Sequence, residues 1–453
     1  MPAGGTWTVQ NKKRPGAYIN FYAVPAPVGV LGDRGIMTCC LPMTWGAQGE
    51  LIELTGAELL NGKSTSKIGC NAFDTEESLP YRLALAKCYK ALIYRADTGG
   101  TKASKTLSAD LTAAAKYTGS TGNNISIVIV KDKPAEGKYT VNVLFKGVQK
   151  ESFVVTKISD FQNIESEWVD FNLVDEPTLE IPVTAGQTLE NGTNGTVSNE
   201  SYSAFFKAVE GRQWNCLAIN STDATVQPLI VEFIKLLKYT RGRKVQGIVY
   251  NYTVADEDAI ISVDQGYITD TDTVTTELFP LYAASVTAGA NVNESNTAAV
   301  VEGAVTIINP VDEENIADAL AQGRFLLTYR QDGAVCIEQD INTLHTFTVD
   351  KGYAFSKNRV VRCLDEIGNT AALIFNRNYC GKMDNDDNGR NLYKTELISM
   401  MDNLAAIGAI QNFDGASDIT VLPGEDIDSV VVDITVQPVD SMEKLYMTVN
   451  VNA

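Results

Sequence analysis

The sequence predicts a multidomain fold of mixed α+β and α/β class, with strands at both ends of the chain. Its 453 residues are enough for roughly three domains of about 150 residues each. A strand, a helix and a second strand follow one another over residues 214–252, which indicates a β-α-β unit. Short strand-like runs fill residues 123–158, and alternating apolar residues fill residues 429–451.

The first hundred residues divide into an N-terminal arm, residues 1–24, and an α/β segment, residues 25–100, which we expect to pack with the core. Within that segment, residues 78–97 are predicted as a helix that runs into a strand. The stretch GAELLNGKS, residues 56–64, departs from a phosphate-binding loop, because five residues rather than four separate its two glycines. We therefore expect a surface loop there.

The middle of the chain is predicted as two domains of different class. Residues 101–190 alternate short strands with Gly, Pro, Lys and Asp, which is typical of a β-sandwich or β-sheet domain. Residues 191–325 place helical stretches at 223–243 and 277–290 beside strands, which predicts an α/β domain.

Residues 326–453 are predicted as a compact C-terminal α+β domain. Asp332 and Gly333 mark a hairpin, and a long helix is expected from about Leu392 to Gly408. The helix has an apolar stripe of Tyr393, Leu397, Met401 and Leu404. Two strands then close the chain; their apolar faces are Val430, Val432, Ile434 and Val436 in the first and Leu445, Met447, Val449 and Val451 in the second.

Charge and composition exclude several classes of function. The 56 acidic and 37 basic residues give a net charge of −19, whereas a protein that binds duplex nucleic acid needs a basic surface. No run of about 18 apolar residues predicts a membrane-spanning helix, so direct membrane insertion is not expected. The N-terminus lacks the apolar core of a secretory signal, so we expect synthesis in a cytoplasm. The eight cysteines lack C-x-x-C spacing, which favours reduced thiols.

One acidic loop partly matches a calcium-binding pattern. Asp384, Asp386 and Asn388 occupy the first, third and fifth positions of the EF-hand motif. The twelfth position should be a bidentate Glu, but it is Thr395 here, and Glu396 comes one residue too late. The alternative, an acidic turn before the long helix, is therefore favoured, and weak calcium binding is left open.

The sequence offers little for catalysis. His345 is the only histidine, and any Ser-His-Asp or Cys-His arrangement would have to use it. No G-x-S-x-G motif is present, and one imidazole supplies too few ligands for a histidine-based metal site. We expect no enzyme activity, no catalytic residue and no cofactor.

An ordered series of segments resembles the contractile tail sheath proteins of phages of Gram-positive bacteria and of phage-like tail bacteriocins. The series is RPGAYINF, YRADTGGTKAS, YTGSTGNNISIVIV, QDINTLHTF, NRVVRCLDEI, NYCGKMDNDDNGR, LAAIGAIQNF and VVVDITVQPVDSMEKLYMTV. It covers most of the chain and is densest over residues 324–453. The resemblance implies a β-sandwich domain, a non-catalytic subtilisin-like α/β domain at 191–325 and a compact C-terminal domain.

The resemblance also implies function and partners. Subunits of such sheaths stack as six-fold rings around a tail tube and contract, with baseplate and tail terminator proteins as further partners, in the tail of a virion or bacteriocin particle. Their terminal arms add strands to neighbouring subunits. The residues implied as contributors are Tyr18, Ile19, Phe21 and Tyr22 in the N-terminal arm, and Val430, Val432, Ile434 and Val436 or Leu445, Met447 and Val449 in the C-terminal one.

Two alternatives compete with the sheath interpretation. A surface-layer or adhesin-type protein fits the β-rich middle and the acidity, but it would need an export signal. An α/β hydrolase-like enzyme is supported by the β-α-β region alone and is weakened by the single histidine.

Overall fold

A central six-stranded sheet carries a β-sandwich and a helical C-terminal unit. This computed structural model describes residues 34–133, 137–174 and 180–451, together with the backbone of two short N-terminal strands. The first elements are β1 (Ala3–Gly5), β2 (Gly16–Tyr18), β3 (Ile36–Leu41), β4 (Leu51–Thr55), α1 (Gly56–Asn61), α2 (Thr65–Ile68), α3 (Thr75–Ala84), β5 (Lys90–Arg95) and β6 (Asp97–Thr98).

Two predictions for this part of the chain are corrected. Residues 56–61 form α1 rather than a loop, and only residues 62–64 are a turn. Thr55 and Glu58 form a capping box that starts the helix: the Thr55 hydroxyl accepts from the Glu58 N–H at 3.3 Å, and the Glu58 carboxylate accepts from the Thr55 N–H at 3.0 Å. The helix predicted over 78–97 ends at Ala84. The strand expected at the end of this segment is confirmed as β5, and residues 85–89 between the two elements are not helical. The helix was predicted too long because a fully buried strand has the same kind of apolar run as a buried helix.

Two antiparallel sheets facing one another confirm the predicted β-sandwich. The strands are β7 (Lys102–Thr106), β8 (Leu111–Thr118), β9 (Ile125–Lys133), β10 (Lys138–Phe145), β11 (Val148–Val155), β12 (Val169–Leu173) and β13 (Thr184–Thr188); β14 (Thr196–Val197) pairs with β6. One sheet has the order β11-β10-β9-β13 and the other β12-β8-β7. Three alternate residues in the first half of β9, Ile125, Ile127 and Ile129, are fully buried between them.

The next region completes the central sheet. Its elements are α4 (Asn199–Glu210), β15 (Cys216–Ile219), α5 (Gln227–Lys235), β16 (Gln246–Tyr250), β17 (Ile260–Val263), β18 (Gly266–Thr269), β19 (Thr273–Val274), α6 (Phe279–Gly289), β20 (Ala304–Ile308), α7 (Ile316–Ala321), β21 (Leu327–Tyr329) and β22 (Val335–Ile337). The sheet order is β17-β16-β15-β3-β5-β4, and all neighbours are parallel except β4 and β5. It therefore joins strands from the segments predicted as residues 25–100 and 191–325.

A buried ion pair lies where the sandwich meets the central sheet. Arg95, at the end of β5, donates to Asp97 at 2.6 Å, and both side chains are almost completely buried. The same guanidinium donates to the carbonyl of Thr118 in β8 and to that of Gly46, both at 2.9 Å. One side chain thus fixes the last residue of a sandwich strand against the sheet.

Two long helices and two small sheets form the C-terminal unit. Its elements are α8 (Asn358–Ile374), α9 (Asp387–Ala406), β23 (Ile410–Gln411), β24 (Ile419–Pro423), β25 (Val430–Ile434) and β26 (Gln437–Pro438). The predicted stripe of Tyr393, Leu397, Met401 and Leu404 is buried in the core of this unit. The helix begins at Asp387 rather than near Leu392, and Gly408 follows its end with the positive φ of 72° expected of a C′ glycine.

Candidate functional site

The first predicted C-terminal strand pairs within its own subunit. β25 runs antiparallel to β24, with Val432 opposite Val421 and Ile434 opposite Ile419. Val432, Ile434 and Val436 lie against the apolar core around α8 and α9, whereas Val431 on the opposite face is 54% exposed. This apolar face therefore packs on the subunit's own core. The sharing of this strand with a neighbouring subunit, which the resemblance implies, stays a prediction.

The hairpin of β24 and β25 is a separate two-stranded sheet. Neither strand has a second neighbour among the described residues, so each keeps one unpaired edge. A two-stranded sheet is marginal in water unless it packs on other elements. Here the core side chains of α9 support one face, and the other face exposes Leu422 and Val431, which lie opposite each other.

The second predicted C-terminal strand has no partner in the described chain. Residues 444–451 belong to no β-ladder, and every one of them is exposed. The alternate apolar side chains of this segment are largely exposed: Leu445 is 83% exposed, Met447 73%, Val449 69% and Val451 85%. The sequence pattern predicts a strand, but the structure leaves this segment exposed and unpaired within the described chain.

The C-terminal tail is held to the subunit at Val439 and Glu443, two positions that no sequence pattern indicated. The Val439 N–H donates to the Ala409 carbonyl at 2.9 Å. Four residues later, the Glu443 side chain is 10% exposed and accepts from Thr297 Oγ1 at 2.8 Å and from the ammonium of Lys357. These partners lie far from Glu443 in sequence, so no local pattern could have identified it.

The N-terminal arm is described only in part. β1 and β2 pair in parallel, and Tyr18 is the last residue of β2. The other N-terminal contributors implied by the resemblance, Ile19, Phe21 and Tyr22, lie outside the described residues.

The acidic loop does not have the conformation of an EF-hand loop. Asp386 is the N-cap of α9, and its carboxylate accepts from the Gly389 N–H at 2.7 Å. Asn388 already lies in α9, which begins at Asp387, so residues 387–395 form a helix where an EF-hand would have most of its 12-residue loop. Within the part of the chain that the structure describes, no group of His, Cys, Asp or Glu side chains is arranged to hold a metal ion. The acidic turn and helix start explain the pattern of Asp384, Asp386 and Asn388.

The groups considered for catalysis are dispersed. His345 Nδ1 lies 2.8 Å from the Thr343 carbonyl and 3.3 Å from Asp256. All eight cysteines are free thiols, and all but Cys380 are buried. Burial raises the pKa of Cys88 to about 12, so the thiolate that a nucleophilic mechanism needs is disfavoured at neutral pH.

Buried charges fix the C-terminal unit to the central sheet. Lys238, just after α5, lies 3.3 Å from Asp258 and 3.4 Å from Asp365 of α8, and all three side chains are buried. Burial raises the pKa of Asp365. Burial opposes the charged form of Lys238, but the two carboxylates outweigh it and raise the pKa of this lysine, which stays protonated at neutral pH.

Three family models match consecutive parts of the chain. The phage tail sheath protein beta-sandwich domain matches residues 98–194, the central domain of that protein matches residues 195–343, and the phage tail sheath C-terminal domain matches residues 350–452. Separately, no described helix combines the length and the apolar composition required to cross a membrane.

Relatives of full length agree with these matches. The sheath tail protein of Desulfitobacterium hafniense is 36% identical, with a TM-score of 0.80 and coverage of 95% of this chain and 99% of that one. The phage-like element PBSX protein XkdK of Bacillus subtilis (strain 168) is 31% identical over 99% of this chain and 100% of its own length. The contracted helical sheath of the anti-feeding prophage has the same fold at 10% identity, with a TM-score of 0.54 and coverage of 97% and 99%. The chain belongs to the phage tail sheath family, which is a family of structural proteins and not of enzymes.

Proposed function

We propose that this chain is the repeating subunit of a contractile tail sheath, and that its C-terminal tail joins neighbouring subunits by adding a strand. Subunits would stack as six-fold rings around a tail tube and contract to drive the tube through a cell envelope. The tail tube, baseplate and tail terminator proteins are the expected partners, and the central α/β unit would be the non-catalytic, subtilisin-like domain. The observation that carries the proposal is the exposed apolar tail, residues 444–451.

The unpaired hairpin is the complementary surface for that tail. A strand that docks on a free edge of β24 or β25 satisfies backbone N–H and C=O groups, and its alternate side chains fix the register. Leu445, Met447 and Val449 share one face of such a strand. That face would be covered by a neighbouring subunit in the assembled sheath.

The energy of one such contact is modest. About five main-chain hydrogen bonds at ~1 kcal/mol each contribute a few kcal/mol, and burial of each large apolar side chain adds about 1.5–3 kcal/mol before the cost of ordering the tail. Repetition over a lattice turns this into a stable connection by multivalency. We propose that the N-terminal arm, with Tyr18, Ile19, Phe21 and Tyr22, forms a second connection.

During contraction, the strand contacts between neighbouring subunits would have to persist while the subunits move relative to one another. The central sheet, the sandwich and the C-terminal unit are held together by buried contacts such as Arg95–Asp97 and Lys238–Asp365. The subunit would therefore rotate and slide as a rigid body, and the tail would act as the tether between neighbours.

Truncation after Glu443 tests the proposal. The full-length protein should form striated hollow tubes under negative-stain electron microscopy, whereas the truncated protein should remain as monomers or isolated rings. Thermal unfolding is the control, and it should be unchanged because residues 444–451 are exposed. Tubes of normal length from the truncated protein would refute the tether.

A further inference from the structure

We propose that Glu443 is a buried anchor that sets where the C-terminal tail leaves the subunit, and that Lys357 is the residue that holds it. This inference rests on the proposed function, since it assigns to one residue the positioning of the proposed tether. Glu443 is the last residue of the described chain that is not exposed; everything from Lys444 to Val451 is in solvent.

Four donors converge on the Glu443 carboxylate. Thr297 Oγ1 donates to Oε1 at 2.8 Å, Gln339 Nε2 donates to Oε2 at 2.5 Å, and the Lys357 ammonium donates to the same oxygen. Ser441 Oγ donates to Oε1 at 3.4 Å. The side chain of Lys357 is only 3% exposed, and its ammonium lies 5.4 Å from the centre of the Tyr353 ring, so the Glu443 carboxylate is the anion that neutralises this buried charge.

The donors belong to three separate parts of the subunit. Thr297 follows α6, Gln339 follows β22, and Lys357 is the N-cap of α8. Burial alone would raise the pKa of Glu443, but the hydrogen bonds from Lys357, Gln339 and Thr297 outweigh it and lower the pKa. The carboxylate is therefore ionised at neutral pH and accepts from all of its donors.

A polar network connects this anchor to the central sheet. Thr297 Oγ1 also accepts from the Asp340 N–H at 2.9 Å, and the Asp340 carboxylate accepts from Asn358 and Arg362 at 2.9 and 2.8 Å. The side-chain Oδ1 of Asn358 accepts in turn from Gln246 Nε2 of β16 at 3.1 Å. Glu443, where the tail leaves the subunit, is thus connected to β16 of the central sheet through a chain of hydrogen bonds between largely buried residues.

Loss of the anchor would change the reach and the direction of the tail. An extended strand rises about 3.3 Å per residue, so residues 444–451 span roughly 26 Å from Glu443. Without the anchor, the last fixed point is the hydrogen bond at Val439, and four more residues add roughly 13 Å of free chain. A tail that starts from a wider range of positions is at lower effective concentration near a neighbouring subunit.

Limited trypsin digestion of the monomer tests the anchor through cleavage after Lys444. A protease binds the residues on both sides of the cleaved bond in extended form. The bond after Lys444 is therefore protected while Glu443 is held by its donors, and it becomes accessible when Glu443 is released. Lys357→Gln is the principal variant because it leaves the tail sequence unchanged. We expect cleavage after Lys444 to be about tenfold faster than in the wild type, with each rate normalised to that of the same protein when unfolded. Lys138→Gln, an equal charge change at an exposed site of the sandwich, should have no effect.

A second variant with a smaller change keeps the test valid if Lys357→Gln fails to fold. Gln339→Met removes one neutral donor, and we expect a smaller acceleration, about threefold. Thermal unfolding establishes that each variant is folded. Cleavage of both variants at the wild-type rate, or cleavage of the wild type as fast as unfolded protein, would overturn the anchor.

Tube assembly by the same variants separates the two proposals. When Glu443 is not held, the protein concentration at which tubes form should rise about tenfold, because the tail no longer starts from one fixed position. If the truncation after Glu443 still forms normal tubes, then the tether fails, but accelerated cleavage in Lys357→Gln would still establish the anchor. If the truncation abolishes tubes and cleavage is unchanged, then the tether stands and the anchor fails.

Discussion

The two halves of the C-terminal segment have the same apolar alternation but opposite surroundings. Val432 and Ile434 in the first half lie on the core of their own subunit, paired with β24. Leu445 and Met447 in the second half are 83% and 73% exposed and unpaired within the described chain. The comparison teaches that alternation predicts a strand, whereas the identity of its partner depends on which surfaces are already covered.

The largest expected effect comes from a charge on the core face of the first half. Val432→Asp should lower the free energy of unfolding by about 2–4 kcal/mol, because it places a carboxylate against an apolar core. Val431→Asp is the matched control on the opposite face, and it should change the free energy by less than ~0.5 kcal/mol. Chemical denaturation measures both. Equal effects would contradict the assignment of the two faces.

An intermediate effect is expected from pH at the boundary between the halves. The hydrogen bonds to Glu443 outweigh its burial and lower its pKa below the ordinary value of 4.5. The anchor should therefore be intact above that value and be lost as pH falls through the lowered pKa. A dye on Met447→Cys in a Cys380→Ser background should show constant anisotropy from pH 8 to 5 and greater mobility at lower pH.

The Glu443→Gln background serves as the control for that titration. This variant has no carboxylate to titrate, so its tail should be mobile at every pH. A transition of the same size in this background would show that another group releases the tail.

The smallest effect on the isolated subunit is expected from charges in the second half. Leu445→Asp combined with Met447→Asp should change the free energy of unfolding by less than ~0.5 kcal/mol, because both side chains are exposed. The same variant should form no tubes under the electron microscope. Met442→Asp, at a fully exposed position before the anchor, should assemble normally. A large loss of stability in the double variant would mean that the tail packs on its own subunit.

The periodicity of apolar residues was sufficient to predict many of the helices and strands. The stripe from Tyr393 to Leu404 and the alternation in β25 each depend on side chains facing one continuous core, so the pattern is visible in the sequence. The strand β5 was expected, but the helix before it was predicted too long, because both faces of β5 are buried and no alternation distinguishes the strand from a helix. The capping box at Thr55 was a local signal that the sequence analysis overlooked.

The tail anchor lay beyond sequence reasoning for a different reason. Lys357, Gln339 and Thr297 are 86, 104 and 146 residues from Glu443. With 56 acidic residues in the chain, nothing local distinguishes this carboxylate from those on the surface. Its environment is created only when three distant segments fold together. The division into domains and the roles of the individual arm residues likewise stay predictions.

The order of strands in the central sheet constrains the folding pathway. The Ile36 N–H donates to Asn215 Oδ1 across 179 residues of chain, and β3 pairs with β15 over a similar separation. The sandwich strands between them are contiguous and can close their own core first, since local contacts form faster than distant ones. During synthesis, the edge of β3 stays open until β15 emerges, and an open apolar edge strand is prone to aggregation. We therefore expect the yield of native subunit to depend on how long the nascent chain spends between these two strands.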